Sequence, residues 1–159
     1  MPKTEGKVLV IGIGNELRGD DAVGILVARR VADRHLPGVR VLEHSGEGAS
    51  LLEAWVGAQS VIIVDAVSSG SAPGTIRRFD AAREPLPAQA FPSSTHAFGL
   101  QDAVEVARAL NLLPTRLVLY GIEGKSFELG EEVSVELVDP VARVFESILE
   151  DVRAANLAP

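Results

Sequence analysis

Val8-Leu9-Val10-Ile11-Gly12-Ile13-Gly14-Asn15-Glu16-Leu17-Arg18-Gly19-Asp20-Asp21-Ala22-Val23-Gly24 carries the fold in miniature. A β-branched apolar run closing on Gly-x-Gly reads as a buried strand delivered into a tight turn. The turn ends on two adjacent carboxylates, Asp20 and Asp21, at the start of a predicted helix, Asp21 to Arg34. Acidic groups are thereby placed at the carboxyl edge of a first strand, where open α/β sheets build their sites. One of the pair is expected to cap amide donors and complement the helix dipole, leaving the other free to act. The sequence leaves open which does which.

Outward from this stretch, further apolar runs predict strands over Val39 to Glu43, Ser60 to Asp65, Thr75 to Phe79 and Arg116 to Ile122. The run at Val8 and those at Ser60 and Arg116 are apolar nearly throughout, as strands covered on both faces must be. Thr75-Ile76-Arg77-Arg78-Phe79 alternates and follows Pro73-Gly74, which puts it at a sheet edge. Helical periodicity marks Ala49 to Val56, Ala97 to Leu110 and Ser134 to Val152, the last kinked or restarted at Pro140 with Asp139 as cap. Strands alternating with helices predict an α/β three-layer sandwich. Its sheet is mainly parallel and twisted, of about five strands with helices on both faces, in a single domain over residues 1–159. The Pro-rich stretch from Asp80 to Ser94 breaks the pattern and leads straight to His96, and long irregular segments of this kind often serve function.

Composition excludes several classes. A net charge of −7 without Lys/Arg clusters makes nucleic acid or an anionic membrane a poor partner. No cysteine is present, which removes disulfides, thiolate metal sites and a cysteine nucleophile. The polar stretch from Met1 to Lys7 offers no signal peptide, and no apolar run approaches the roughly 20 residues of a membrane span. A soluble cytoplasmic protein is expected; nothing in the sequence names its oligomeric state.

Two more polar residues occupy settings like that of Asp21. Asp65 ends the run Val61-Ile62-Ile63-Val64, and His96 follows the cap-rich Ser93-Ser94-Thr95 near a helix start, where the dipole favours a neutral ring. A parallel sheet would bring all three strand-to-helix boundaries to one edge. Two carboxylates and an imidazole suit a borderline divalent ion such as Zn²⁺ or Ni²⁺. Other motifs fail: Leu17 stands where a dinucleotide fingerprint needs its third glycine, and Leu119 stands where a Walker A loop ending in Gly124-Lys125-Ser126 needs its first.

Taken with Ile62-Ile63-Val64-Asp65-Ala66 and Ser94-Thr95-His96-Ala97-Phe98-Gly99-Leu100, the opening motif resembles the [NiFe]-hydrogenase maturation endopeptidases. These are small α/β proteins that remove the C-terminal tail from the hydrogenase large-subunit precursor. The resemblance implies that Asp21, Asp65 and His96 are metal ligands, and that the metal is nickel supplied by the precursor. It also implies a metal-dependent endopeptidase whose partner is that precursor, the Pro-rich stretch ordering around the tail. The loop His44-Ser45-Gly46-Glu47-Gly48-Ala49 departs from the Gly-Gly-Thr or Gly-Thr turn of family members. Glu47 there could be a fourth ligand, a selector of a different tail, or an exposed loop residue. It motivates the rival expectation of a non-catalytic, metal-checking or chaperone-like binder.

Overall fold

The computed structural model describes residues 7–92 and 96–157. Its strands are β1 (Val8–Ile13), β2 (Val39–His44), β3 (Ser60–Val67), β4 (Ile76–Asp80) and β5 (Arg116–Glu123). They form one sheet in the order β2-β1-β3-β5-β4, parallel throughout except for β4, which runs antiparallel at the edge beside β5. The helices are α1 (Val23–Asp33), α2 (Gly48–Trp55), α3 (Leu100–Ala109) and α4 (Val138–Leu157). This is the α/β sandwich the sequence predicts, with β4 at the edge expected of it.

Strand alternation divides the core in two. Val8 and Val10 of β1, with Ile62, Val64, Val118 and Tyr120, pack under α1 and α4. Leu9 and Ile11, with Val61, Ile63, Leu117 and Leu119, pack under α2 and α3. Every residue of β1 is buried, so the run shows no polar alternation to betray its faces.

Two glycines seat α1 on the sheet. A Cβ on Gly12 would stand 2.2 Å from the Gly24 carbonyl oxygen, and one on Gly24 would stand 2.3 Å from that of Ile13. Backbone therefore rests on backbone, and the turn between β1 and α1 is drawn over the sheet's carboxyl edge. From β1 the chain moves outward to β2, then crosses back to β3 on the other side of β1. The carboxyl ends of β1 and β3 thus flank the point where the strand order reverses, the place where such sheets open a crevice.

Several boundaries differ from expectation. A 3-10 turn, Gly19–Ala22, precedes α1, so Asp21 lies in that turn and not in the α-helix. α3 starts at Leu100, where the Gly99 amide donates to Asp102 Oδ2 at 3.0 Å; the expected cap cluster Ser93-Ser94-Thr95 falls outside the described residues. Pro140 produces no mid-helix kink, because a short 3-10 turn, Val135–Leu137, leads into α4 at Val138. That puts Pro140 in the first helical turn, where an amide would have no intrahelical acceptor anyway.

The Pro-rich segment is anchored over its described part. Ala81, Leu86, Ala90 and Phe91 are buried, Arg108 Nη2 donates to the carbonyls of Ala81 and Glu84 at 2.7 and 3.2 Å, and Gln101 Oε1 accepts from the Phe91 amide at 2.8 Å. Through residue 92 the segment packs as a wall against α3. Among the described residues, no helix is long and apolar enough to cross a membrane.

Candidate functional site

The neighbouring carboxylates of the first turn do opposite jobs. Asp20 is fully buried and ties the turn to a distant loop. Its Oδ2 accepts from the amides of Lys125 (2.7 Å) and Ser126 (3.0 Å) and from Ser134 Oγ (2.8 Å), while Oδ1 accepts from the Ser134 amide (2.6 Å). Burial works to raise its pKa, yet the donors at Ser134, Ser126 and Lys125 outweigh burial and hold the carboxyl below its ordinary value.

Asp21, one residue on, turns into the crevice. Its Oδ2 accepts from the Asn15 amide at 3.0 Å, and Asn15 Oδ1 in turn accepts from the Leu17 amide at 2.9 Å, which closes the turn on itself. Burial raises the Asp21 pKa against that hydrogen bond and against the charges of Arg18 and His96.

Asp65 sits within β3, two residues before its end. By alternation it follows Val61 and Ile63 toward the α2/α3 side, the layer into which the segments bearing Ser45 and His96 lead. Burial pushes its carboxyl well above the usual range, the nearby charge of Asp21 pushes further, and the Ala66 amide only partly opposes them.

His96 lies four residues ahead of α3, beyond the reach of a dipole effect confined to the first turn, so the expected helix argument does not apply to it. The ring is held instead across the crevice, with Nε2 at 3.1 Å from the Ser45 carbonyl oxygen. A carbonyl only accepts, so Nε2 carries the hydrogen and the lone pair of the neutral ring resides on Nδ1.

Asp21, Asp65 and His96 line one cleft of about 230 Å³, walled by Phe91 and Phe127. An adjoining groove of about 580 Å³ shares Asp21 and His96 and extends along Asn15 and Leu17. The three predicted residues therefore meet at the edge the topology selects. Among the described residues, no three His, Asp or Glu side chains close tightly enough to cage an ion. The donor chemistry, two carboxylates and an imidazole lining one cleft, nonetheless fits a borderline divalent cation.

Glu47 is a helix cap. Its carboxylate accepts from the amides of Ala49 (2.8 Å) and Ser50 (3.0 Å) and from Ser50 Oγ (2.8 Å) at the start of α2, and the Ala49 amide leads in holding its pKa down. His44 is also occupied, its Nδ1 accepting from the Gly46 amide at 2.9 Å in the same turn.

Sequence reasoning passed over Arg18, which lines both the cleft and the groove. Its signal is a cation within three residues of the acidic pair, the one basic residue of that turn.

A family model described as hydrogenase maturation protease matches residues 25–155. The Hydrogenase 2 maturation protease of Escherichia coli (strain K12) is 33% identical over 153 residues, covering 94% of this chain and 90% of that protein. The hydrogenase expression/formation protein HupD of Rhodobacter capsulatus is 35% identical over 124 residues, covering 77% of this chain; the match spans 59% of that relative's length. Among solved structures, the hydrogenase maturating endopeptidase HybD from E. coli superposes with a TM-score of 0.77 at 27% identity, covering 93% of each chain. The [NiFe] hydrogenase maturation protease HycI from Thermococcus kodakarensis KOD1 gives 0.69 at 28% identity, covering 92% of each.

Proposed function

Since the chain belongs to the hydrogenase maturation protease family, we propose that it is an endopeptidase that removes the C-terminal tail of a nickel-loaded hydrogenase large-subunit precursor. The observation that carries this reading is the meeting of Asp21, Asp65 and His96 on one cleft at the reversal point of the sheet. In this reading the three side chains face the nickel that the precursor brings as part of the substrate. Burial raises both carboxyls above their usual range, and the charge of Asp21 pushes Asp65 further, so an incoming cation relieves a tension built into the cleft. The Ser45 carbonyl fixes the imidazole so that its other nitrogen keeps the lone pair. Phe91 and Phe127 narrow the cleft around the chain to be cut. Cytoplasmic action on a newly made precursor belongs to the same proposal.

The test is the intact mass of a cognate precursor, nickel-loaded, after incubation with the wild type or with Asp65→Asn shown to be folded. Loss of a C-terminal fragment with the wild type alone is expected, and none is expected from precursor without nickel. Stable association with the nickel-loaded precursor at unchanged mass would refute the peptidase and leave a metal-checking binder.

A further inference from the structure

Arg18 is placed as a binding residue and lacks anything to bind. Its Nε is buried, and among the described residues no hydrogen bond or ion pair forms on its guanidinium. Arg108, whose Nε is also unpartnered, differs in that its Nη2 is satisfied by two carbonyls. Buried donors are nearly always paired, and one left open carries a desolvation cost that nothing inside the fold returns. The cost is maintained where it is most exposed to a visitor: Arg18 lines the cleft and the groove at once, beside Asp21. The Asp21 carboxylate, close enough to feel its charge, is spent instead on the Asn15 amide.

The surroundings indicate an extended peptide. Leu17 lines the groove with Arg18 and stands 66% exposed, an apolar shoulder at the groove. The Gly130 amide donates to its carbonyl at 2.8 Å, tying in the segment that carries Leu129, 73% exposed. A fixed fork of donors next to an apolar shoulder on an open groove matches a chain segment that presents an acceptor oxygen followed by apolar side chains.

We propose that Arg18 is a substrate-binding and specificity-determining residue: its guanidinium receives a carboxylate or carbonyl oxygen of the precursor segment around the cleaved bond. This rests on the proposed function for the identity of the occupant, and its test is chosen to be read separately from cleavage.

The affinity of nickel-loaded precursor is measured by calorimetry for the wild type, Arg18→Leu and Arg18→Lys, alongside kcat and KM where cleavage occurs. Arg18→Leu should weaken binding tenfold or more, since hydrogen bonds to a charged group are the strong ones. KM should rise in step, kcat should change less than about threefold, and the melting temperature should not fall, because a buried unpartnered donor is being removed. Arg18→Lys should recover only part of the loss, lacking the planar fork. Precursors with acidic side chains near the cleaved bond changed to amides then identify the source. Loss of affinity for wild type but not for Arg18→Leu assigns a side-chain carboxylate, and equal losses assign a main-chain carbonyl. Binding of the precursor by Arg18→Leu within twofold of wild type overturns the proposal, whether or not the wild type cleaves.

Discussion

Replacing Asp20 with alanine strips the acceptor from three backbone amides and one hydroxyl in a single step. Hydrogen bonds to an ionised group contribute about 1.5–3 kcal/mol each, but they are not additive and water entering the vacated space repairs some of them. We expect a net loss of about 4 kcal/mol, a large share of the roughly 5–15 kcal/mol by which a domain is stable. Asn at this position should cost about half as much, because its amide oxygen still accepts while its NH₂ meets the remaining donors. The assay is built in: Trp55 is the sole tryptophan and is 2% exposed, so its fluorescence follows global unfolding in urea. With a slope of about 2 kcal/mol per molar, the midpoint for Asp20→Ala should fall by about 2 M. The Asp20 carboxyl lies below its ordinary pKa in the fold, so its contribution is present above that ordinary value and is lost as pH falls through the folded one. The gap between wild type and Asp20→Ala should therefore narrow in the strongly acidic range. A midpoint shift under about 0.3 M at neutral pH would refute the assignment of Asp20 as a structural tether.

Asp65→Asn should behave in the reverse sense. Its carboxyl is raised in the fold, so stability is lost as pH rises from the ordinary carboxylate pKa toward the folded one, and the amide should melt higher than wild type at neutral pH while failing to process precursor. That advantage should vanish below the ordinary carboxylate pKa, where the acid is protonated in both folded and unfolded states; a lower melting point at neutral pH would contradict the desolvation argument. Glu47→Ala should lower the melting temperature by uncapping α2 yet leave the rate of processing unchanged, and a lost rate with intact stability would return Glu47 to the site. Gly24→Ala forces a Cβ to within 2.3 Å of the Ile13 carbonyl and 2.5 Å of that of Val64, and should cost about 3 kcal/mol or more in urea unfolding. Tyr120→Phe, which removes a hydroxyl bonded to Asp151 and Arg78 beneath α4, should cost about 1–2 kcal/mol by the same measurement.

What the sequence discloses follows the range of the forces involved. Strands β1, β3 and β5 are legible because burial on both faces imposes an unbroken apolar run, and β4 because an exposed edge restores alternation. The placement of Asp21 and Asp65 on one edge follows once β1 and β3 are known to be parallel, since Asp65 lies near the carboxyl end of β3 and Asp21 in the turn after β1. His96 is different, because the strand before it, β4, runs antiparallel and ends at the opposite edge, so only the long segment after Asp80 returns the chain to the cleft. The division of labour between Asp20 and Asp21 was not legible. The donors that occupy Asp20 come from Lys125, Ser126 and Ser134, and no local pattern around residue 20 announces them. Glu47 misled for a different reason: Ser, Thr, Asp and Asn are the customary caps, and a Glu before Gly48 resembled a loose loop carboxylate. The helix expected from Ala97 begins at Leu100, so the dipole argument for a neutral His96 ring lapses, while the ring's orientation comes from the Ser45 carbonyl, a contact no local pattern announces.

The tether from Asp20 also sets a timetable. The acceptor is synthesised 105 to 114 residues ahead of its donors, so at typical elongation rates roughly 5–20 seconds separate the two. During that interval β1 and α1 can dock, and the turn bearing Arg18 and Asp21 holds its own internal hydrogen bonds, yet it lacks the tether through Asp20. The wall that bears Phe127 does not exist either. Completion of the cleft therefore waits for the synthesis of residues 125–134, and a chain cut short before them lacks both the tether and one wall of the pocket.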